Sequence, residues 1–260
     1  MTDQAFAQAD PQWLELISQA REWFAGPLGQ QLLAGEQRLL EEELGRFFGG
    51  YLVHYGPCAE APPNAPQVQR NVRLGAPLPG VEIVCEEQAW PLSEHAADVV
   101  VLQHGLDFSL SPHGLLREAA SSVRPGGHLL IVGINPWSTW GLRRVFAHDA
   151  LRKARCISPS RVGDWLNLLG FALEKRRFGC YRPPLASPAW QARLSGWERA
   201  AGRWQISGGG VYVLVARKMV VGLRPLRQVR REPMGKLLPL PMAKVNRRTP
   251  HPEGRTFNDE

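Results

Sequence analysis

The sequence predicts an α/β fold built on a mostly parallel sheet, with helices at the N-terminus packed beside it. Three observations carry that reading. Asp98 opens a continuous apolar run, Val99 to Leu102, which suits a strand covered on both faces, as parallel sheets require. An amphipathic helix and then a second apolar strand, His128 to Gly133, follow it, so the unit is strand, helix, strand. Upstream, the first fifty residues carry two apolar stripes at helical spacing.

The helix of that central unit has its own punctuation. Ser111 offers an N-cap hydroxyl, and Pro112 stands at the first helical position, where its missing N–H costs nothing. Leu115, Leu116, Ala119 and Val123 share one face, and Arg124-Pro125-Gly126-Gly127 ends the helix. Strands joined this way are parallel with a right-handed crossover, so Gln103-His104-Gly105 and Ile134-Asn135-Pro136 open on one rim of the sheet. Open α/β sheets bind ligands along that rim. The functional groups placed there are Gln103, His104, Asp107, Asn135, Trp137 and Ser138.

In chain order, Trp13, Leu16, Ile17, Ala20 and Phe24 mark a helix ending by Gly26-Pro27, and Leu32, Leu33, Leu39, Leu40, Leu44, Phe47 and Phe48 mark a second, stopped by Gly49-Gly50. Tyr51 to Tyr55 reads as the first strand, and Val81 to Cys85 as the third. Between them, Pro62, Pro63 and Pro66 leave little room for a helix. After the central unit, Trp140 to Asp149 reads as helical. Ser158-Pro159 starts a helix striped by Val162, Trp165, Leu166 and Leu169, and Phe171 to Arg177 and Val211 to Lys218 read as two last strands. Residues 179–210 between them hold Trp190, Trp197 and Trp204, which serve either the core or the wall of a pocket. The resulting organisation is helices over 1–50, an α/β domain over 51–218, and a tail over 219–260 whose Arg- and Pro-rich composition predicts disorder.

Net charge is +7, and the tail alone holds nine Lys/Arg against four Asp/Glu, so the basic character is mostly a tail property. That argues against a broad basic groove in the domain and leaves the tail for weak, salt-sensitive contact with nucleic acid or an acidic partner. Four cysteines, Cys58, Cys85, Cys156 and Cys180, have no paired metal spacing, so no metal site is expected and a reducing, cytoplasmic setting is. The N-terminus lacks a signal-peptide pattern, and no apolar run reaches the roughly 18 residues of a membrane span.

From Cys85-Glu86-Glu87-Gln88-Ala89-Trp90-Pro91-Leu92 through Asp98–Phe108 and Leu115–Gly133, the chain resembles class I S-adenosylmethionine-dependent methyltransferases of the type 11 group. Asn135 to Arg144 is similar to a segment of a bacterial subgroup of them. The resemblance implies a Rossmann-like class I methyltransferase sheet with an antiparallel last strand, N-terminal cap helices over the acceptor pocket, S-adenosylmethionine as cofactor and a small-molecule acceptor. It implies a cofactor site from Tyr55, Gly56 and Cys58 after the first strand, Glu86 or Glu87 toward the adenine amino group, and Gln103. The glycine-rich loop is reduced to Gly56, and no carboxylate stands near Asn71–Gly75 to hold the ribose. A non-catalytic binding module of the same fold, or an RNA methyltransferase using the tail, are the alternatives.

Methyl transfer asks the protein to position an acceptor and, where the acceptor carries a proton, to supply a base. His104 is the candidate base, since imidazole titrates near pH ~6.5, and Asp107 orients it or binds substrate. Asn135 and Trp137 are candidates for the acceptor side. Asn135-Pro136-Trp137 follows strand five rather than strand four, which separates it from the Asn-Pro-Pro-aromatic motif of amino-group methyltransferases.

Overall fold

The computed structural model describes residues 9–58, 64–184 and 207–220. The chain divides between Arg224 and Pro225, and the expected tail, beyond Val220, lies outside the described residues, as do Trp190, Trp197 and Trp204. Helices α1 (Pro11–Ala25) and α2 (Pro27–Leu44) lead into strand β1 (Gly49–Tyr55). Then come β2 (Val68–Gly75), β3 (Ile83–Val84), β4 (Ala97–Gln103), α3 (Pro112–Ser122), β5 (Val123–Ile134), α4 (Thr139–Phe146), α5 (Pro159–Leu168), β6 (Phe171–Gly179) and β7 (Val211–Lys218). The seven strands lie in the order β3-β2-β1-β4-β5-β7-β6. All neighbours are parallel except β7, which runs antiparallel to β5 and β6. The strand order reverses between β1 and β4, the crevice where such sheets take ligands.

The elements follow from the residues. In α1 the buried side chains are Trp13, Leu16, Ile17, Ala20 and Phe24, and Asp10 caps it by accepting from the Gln12 amide at 2.8 Å. β5 starts earlier than the apolar pattern suggests, because Val123 already pairs with Ala97 and Arg124–Gly127 bulges before His128 resumes against Val99. Asp98 fixes the entry of the neighbouring strand, accepting from the Gly50 and Tyr51 amides and pairing with Arg124 at 2.6 Å.

Residues 64–96 contain no helix, so β2 passes to β3 and β3 to β4 without a covering helix. On one sheet face α2 supplies the apolar cover. Its Leu39, Leu40 and Leu44 pack on Leu52, Val99, Val101, Leu130, Val132, Val213 and Val215. Leu115, Leu116 and Ala119 of α3, Val162 and Leu166 of α5 and the stripe of α1 join the other, larger cluster. Fully burying each such side chain is worth roughly 1.5–3 kcal/mol, so α2 is an integral layer of the fold.

Candidate functional site

At the point where the strand order reverses, five buried polar side chains form one hydrogen-bonded chain. His54 on β1 meets the Gln103 Oε1 atom at 2.8 Å, Gln103 Nε2 donates to Glu36 Oε1 at 2.5 Å, and Glu36 Oε2 meets His104 Nε2 at 2.8 Å. The other nitrogen of His104 meets Asp107 Oδ2 at 3.0 Å, which also accepts from the Ile134 amide at 2.9 Å. The carboxylate of Glu36 accepts only, which orients the Gln103 amide. The oxygen of that amide then faces His54, so His54 Nε2 carries the proton. His54 Nδ1 is left buried without a partner.

The charges follow from this geometry. Burial pulls the His54 pKa down to about 4, so its imidazole is neutral. Burial also pulls on His104, but the facing Glu36 carboxylate and the Asp107 hydrogen bond outweigh it and hold its pKa up at about 10. Burial raises the Asp107 carboxyl, against the opposing effect of His104. His104 is therefore an imidazolium clamped between two acids, with its backbone in the left-handed region at φ 54° and its ring 4.8 Å from that of Phe24. The neutral imidazole that the sequence suggests is not the state these contacts favour: both ring nitrogens are committed and the side chain is fully buried. Sequence reasoning missed Glu36 and His54. Glu36 left a trace, for it falls within the apolar stripe of α2 between Leu32 and Leu40, where a charge has no solvent to face.

The remaining candidates separate into braces and rim. Glu87 is buried and spends its carboxylate on the Ser109 hydroxyl and on the Leu110 and Ser111 amides, at 3.0 and 2.6 Å. It thus fixes the chain just before α3, whose N-cap residue Ser111 makes no side-chain cap bond. Asn135 is likewise structural in its contacts, donating to the Ser207 and Gly209 carbonyls at 2.8 and 2.9 Å and accepting from the Trp137 amide. Gly56, at φ 155°, answers to the protein's own backbone, since a Cβ there would lie 1.9 Å from the Gln103 carbonyl oxygen. Tyr55 is buried and stacks on Trp90 at 5.3 Å, and Cys58 is buried with its thiol pKa pushed up by burial. Glu86 lines a cavity of about 100 Å³ with Asp10, Trp13, Glu87, Gln88 and Leu110.

Trp137, 83% exposed, stands instead on a larger cleft of about 730 Å³ between the segments that follow β4 and β5. Its walls include Ser111–His113, Pro136, Arg144, Arg155–Ser158, Arg161 and Trp165.

Residues 56–131 match the methyltransferase domain family. Over 224 residues the chain is 28% identical to the uncharacterized protein YafS of Escherichia coli strain K12, covering 81% of this chain and 87% of that one. A SAM-dependent methyltransferase of Thermotoga maritima superposes with a TM-score of 0.55 at 14% identity, over 80% of this chain and 98% of the other. Residues 56–131 thus carry the likeness to a methyltransferase domain, and the chain has the fold of a SAM-dependent methyltransferase. S-adenosylmethionine is the cofactor on which that Thermotoga maritima protein depends.

The described rim fits that cofactor at one end. Toward β3, the Glu86 carboxylate makes no hydrogen bond among the described residues, Trp90 Nε1 is a buried polar atom without a partner, and the buried Tyr55 hydroxyl interacts with the Trp13 side chain. These groups would hold a polar ligand edge. Toward β4, Gln103 and Glu87 are already spent, and about 100 Å³ is well below the ~300 Å³ of a small-molecule pocket. Among the described residues no helix is long and apolar enough to cross a membrane.

Proposed function

We propose that the protein methylates a small acceptor bound in the cleft between the segments that follow β4 and β5. The observation that carries this is the cleft itself: about 730 Å³, within the ~300–1,000 Å³ typical of small-molecule sites, on the rim where this fold binds its ligands. Bound S-adenosylmethionine supplies an activated methyl group on a sulfonium. The chain's own residues then position. Glu86 and Trp13, on the small cavity toward β3, receive the polar end of the cofactor. Trp137 gives the acceptor an exposed aromatic wall.

In this reading His104 and Asp107 act as positioning residues. An imidazolium with a pKa near 10 does not accept a proton at neutral pH. Its part is to hold Glu36, Asp107 and the Ile134 amide in one arrangement at the crevice. A cytoplasmic, small-molecule methyltransferase needs no buried base when its acceptor reacts through a group already free of its proton.

Calorimetric titration with S-adenosylmethionine and with its demethylated product tests the proposal. Both should bind near micromolar, a free energy of about −8 kcal/mol. Glu86→Gln should weaken both roughly tenfold, since a hydrogen bond to a charged group is worth ~1.5–3 kcal/mol. Absence of binding at millimolar ligand would sink it.

A further inference from the structure

The large cleft has a chemistry of its own. Three guanidinium groups line it, Arg144, Arg155 and Arg161, together with His113, and no Asp or Glu is among its lining residues. None of the three arginines forms an ion pair among the described residues, whereas nearby Arg143 is paired with Asp149. Arg155 is held in place: its Nε donates to the Ser109 carbonyl at 2.7 Å and an Nη to the Leu110 carbonyl at 2.9 Å. Arg144 bonds the Arg155 carbonyl at 3.3 Å, which ties the two together across one wall. Burial pushes the intervening Cys156 thiol up to about 12, so that wall adds no negative charge.

Permanent cations gathered in a concavity without counter-charge repel one another, and an anion relieves that repulsion. Guanidinium forks match phosphate and carboxylate alike, but three of them suit a dianion better than a single carboxylate. The cleft is also far larger than one anion needs, and its other wall is aromatic. Trp137 projects freely, and the Trp165 ring lies against His113 with centroids 3.8 Å apart. We propose that this cleft binds an organic phosphate, with Arg144, Arg155 and Arg161 on the phosphate and Trp137 and Trp165 against a planar or apolar body. This names the acceptor class for the methyltransferase reading and rests on it for that role, while binding itself does not require the cofactor.

The test uses the full chain without cofactor at low salt, titrated calorimetrically with phenyl phosphate, inorganic phosphate and phenol. Phenyl phosphate should bind roughly tenfold or more tighter than either fragment, because both walls contribute. The Arg144→Gln/Arg161→Gln double variant, which spares the Arg155 bonds to Ser109 and Leu110, should bind phenyl phosphate about 100-fold more weakly, roughly tenfold per lost guanidinium. Its melting temperature and its affinity for S-adenosylmethionine should stay as in the parent. Unchanged phenyl phosphate affinity in the double variant would overturn the proposal, as would phenol binding as well as phenyl phosphate. A short RNA oligonucleotide displacing phenyl phosphate at lower concentration than inorganic phosphate does would overturn the small-molecule assignment. Phosphate binding that persists in a protein unable to bind S-adenosylmethionine would support the site and fail only the methyl-transfer reading.

Discussion

Glu36 and Glu43 lie on the same face of α2, about two turns apart, and both side chains are fully buried. Burying a carboxylate costs several kcal/mol unless it is matched, and the two are matched in opposite ways. Glu43 meets three cations: Lys175 at 2.8 Å, Arg177 at 2.9 Å and Arg46 at 3.3 Å, whose side chains remain 38%, 24% and 55% exposed. Glu36 meets the Gln103 amide and the His104 imidazolium, both buried. One carboxylate clamps α2 to edge strand β6 with partners that water still reaches. The other anchors the same helix over the crevice where the strand order reverses, with partners that have nowhere else to go. A single helix thus joins the edge of the sheet to its central crevice.

The comparison breaks most sharply by removing Glu36. Glu36→Ala strands the Gln103 donor and leaves buried His104 with Asp107 alone, so unfolding free energy should fall by roughly 3–5 kcal/mol, the cost of breaking a buried pair from one side. Denaturant unfolding measures it. A loss smaller than that of the matching Glu43 variant would mean that the rim network contributes less than the edge clamp.

The next effect is a pH dependence set by the two rim histidines, with opposite signs. The His54 pKa falls from 6.5 to about 4 on folding, so the unfolded chain binds the extra proton and stability drops as pH falls from 6.5 toward 4. The loss is on the order of 3 kcal/mol. The His104 pKa rises from 6.5 to about 10, so its contribution is full below pH 6.5 and is lost as pH climbs through 10. Stability should therefore peak near pH 6.5, and His54→Gln, whose amide can donate to the same Gln103 oxygen, should flatten the acid side. An acid side as steep as the parent's in that variant would assign the effect elsewhere.

That the crevice holds an ion chain was only half readable from the sequence. The apolar runs of β4 and β5 and the stripes of α1 and α3 are local patterns, and they predicted the sheet and its rim because burial imposes the period. His104 and Asp107 were visible because they follow a strand end. Their protonation was not, since it depends on Glu36, brought from a helix 68 positions upstream. Ser111 was read as the cap of α3 because it precedes Pro112, but its side chain makes no cap bond, and the Glu87 carboxylate, from the β3 side, instead holds the Leu110 and Ser111 amides just before the helix. The arginine cleft was invisible for the same reason: Arg144, Arg155 and Arg161 come from separate segments and meet only in the fold.

Glu43→Gln should cost less than Glu36→Ala, about 1–2 kcal/mol. The three cations it leaves behind are already partly hydrated, and the amide retains one acceptor for them. The cost should also shrink in high salt, because the pairs sit at a solvent boundary where screening reaches them. Melting curves in low and high salt measure both. A salt-independent loss as large as that of Glu36→Ala would erase the distinction between the two carboxylates.

The smallest effect on stability is predicted for Trp137, whose ring is the most exposed aromatic among the described residues. Trp137 is 83% exposed, so Trp137→Ala removes almost no buried apolar surface, and its fold-holding contact, the backbone amide to Asn135 Oδ1 at 3.1 Å, survives the substitution. Unfolding free energy should change by no more than about 0.5 kcal/mol. Ligand affinity in the cleft should change more, because an aromatic wall contributes only when something is stacked on it. Comparing the melting temperature with the calorimetric affinity for an aromatic ligand separates the two. Equal affinity in parent and variant would take Trp137 out of the cleft's function, and a large loss of stability would show that the ring packs in the folded protein after all.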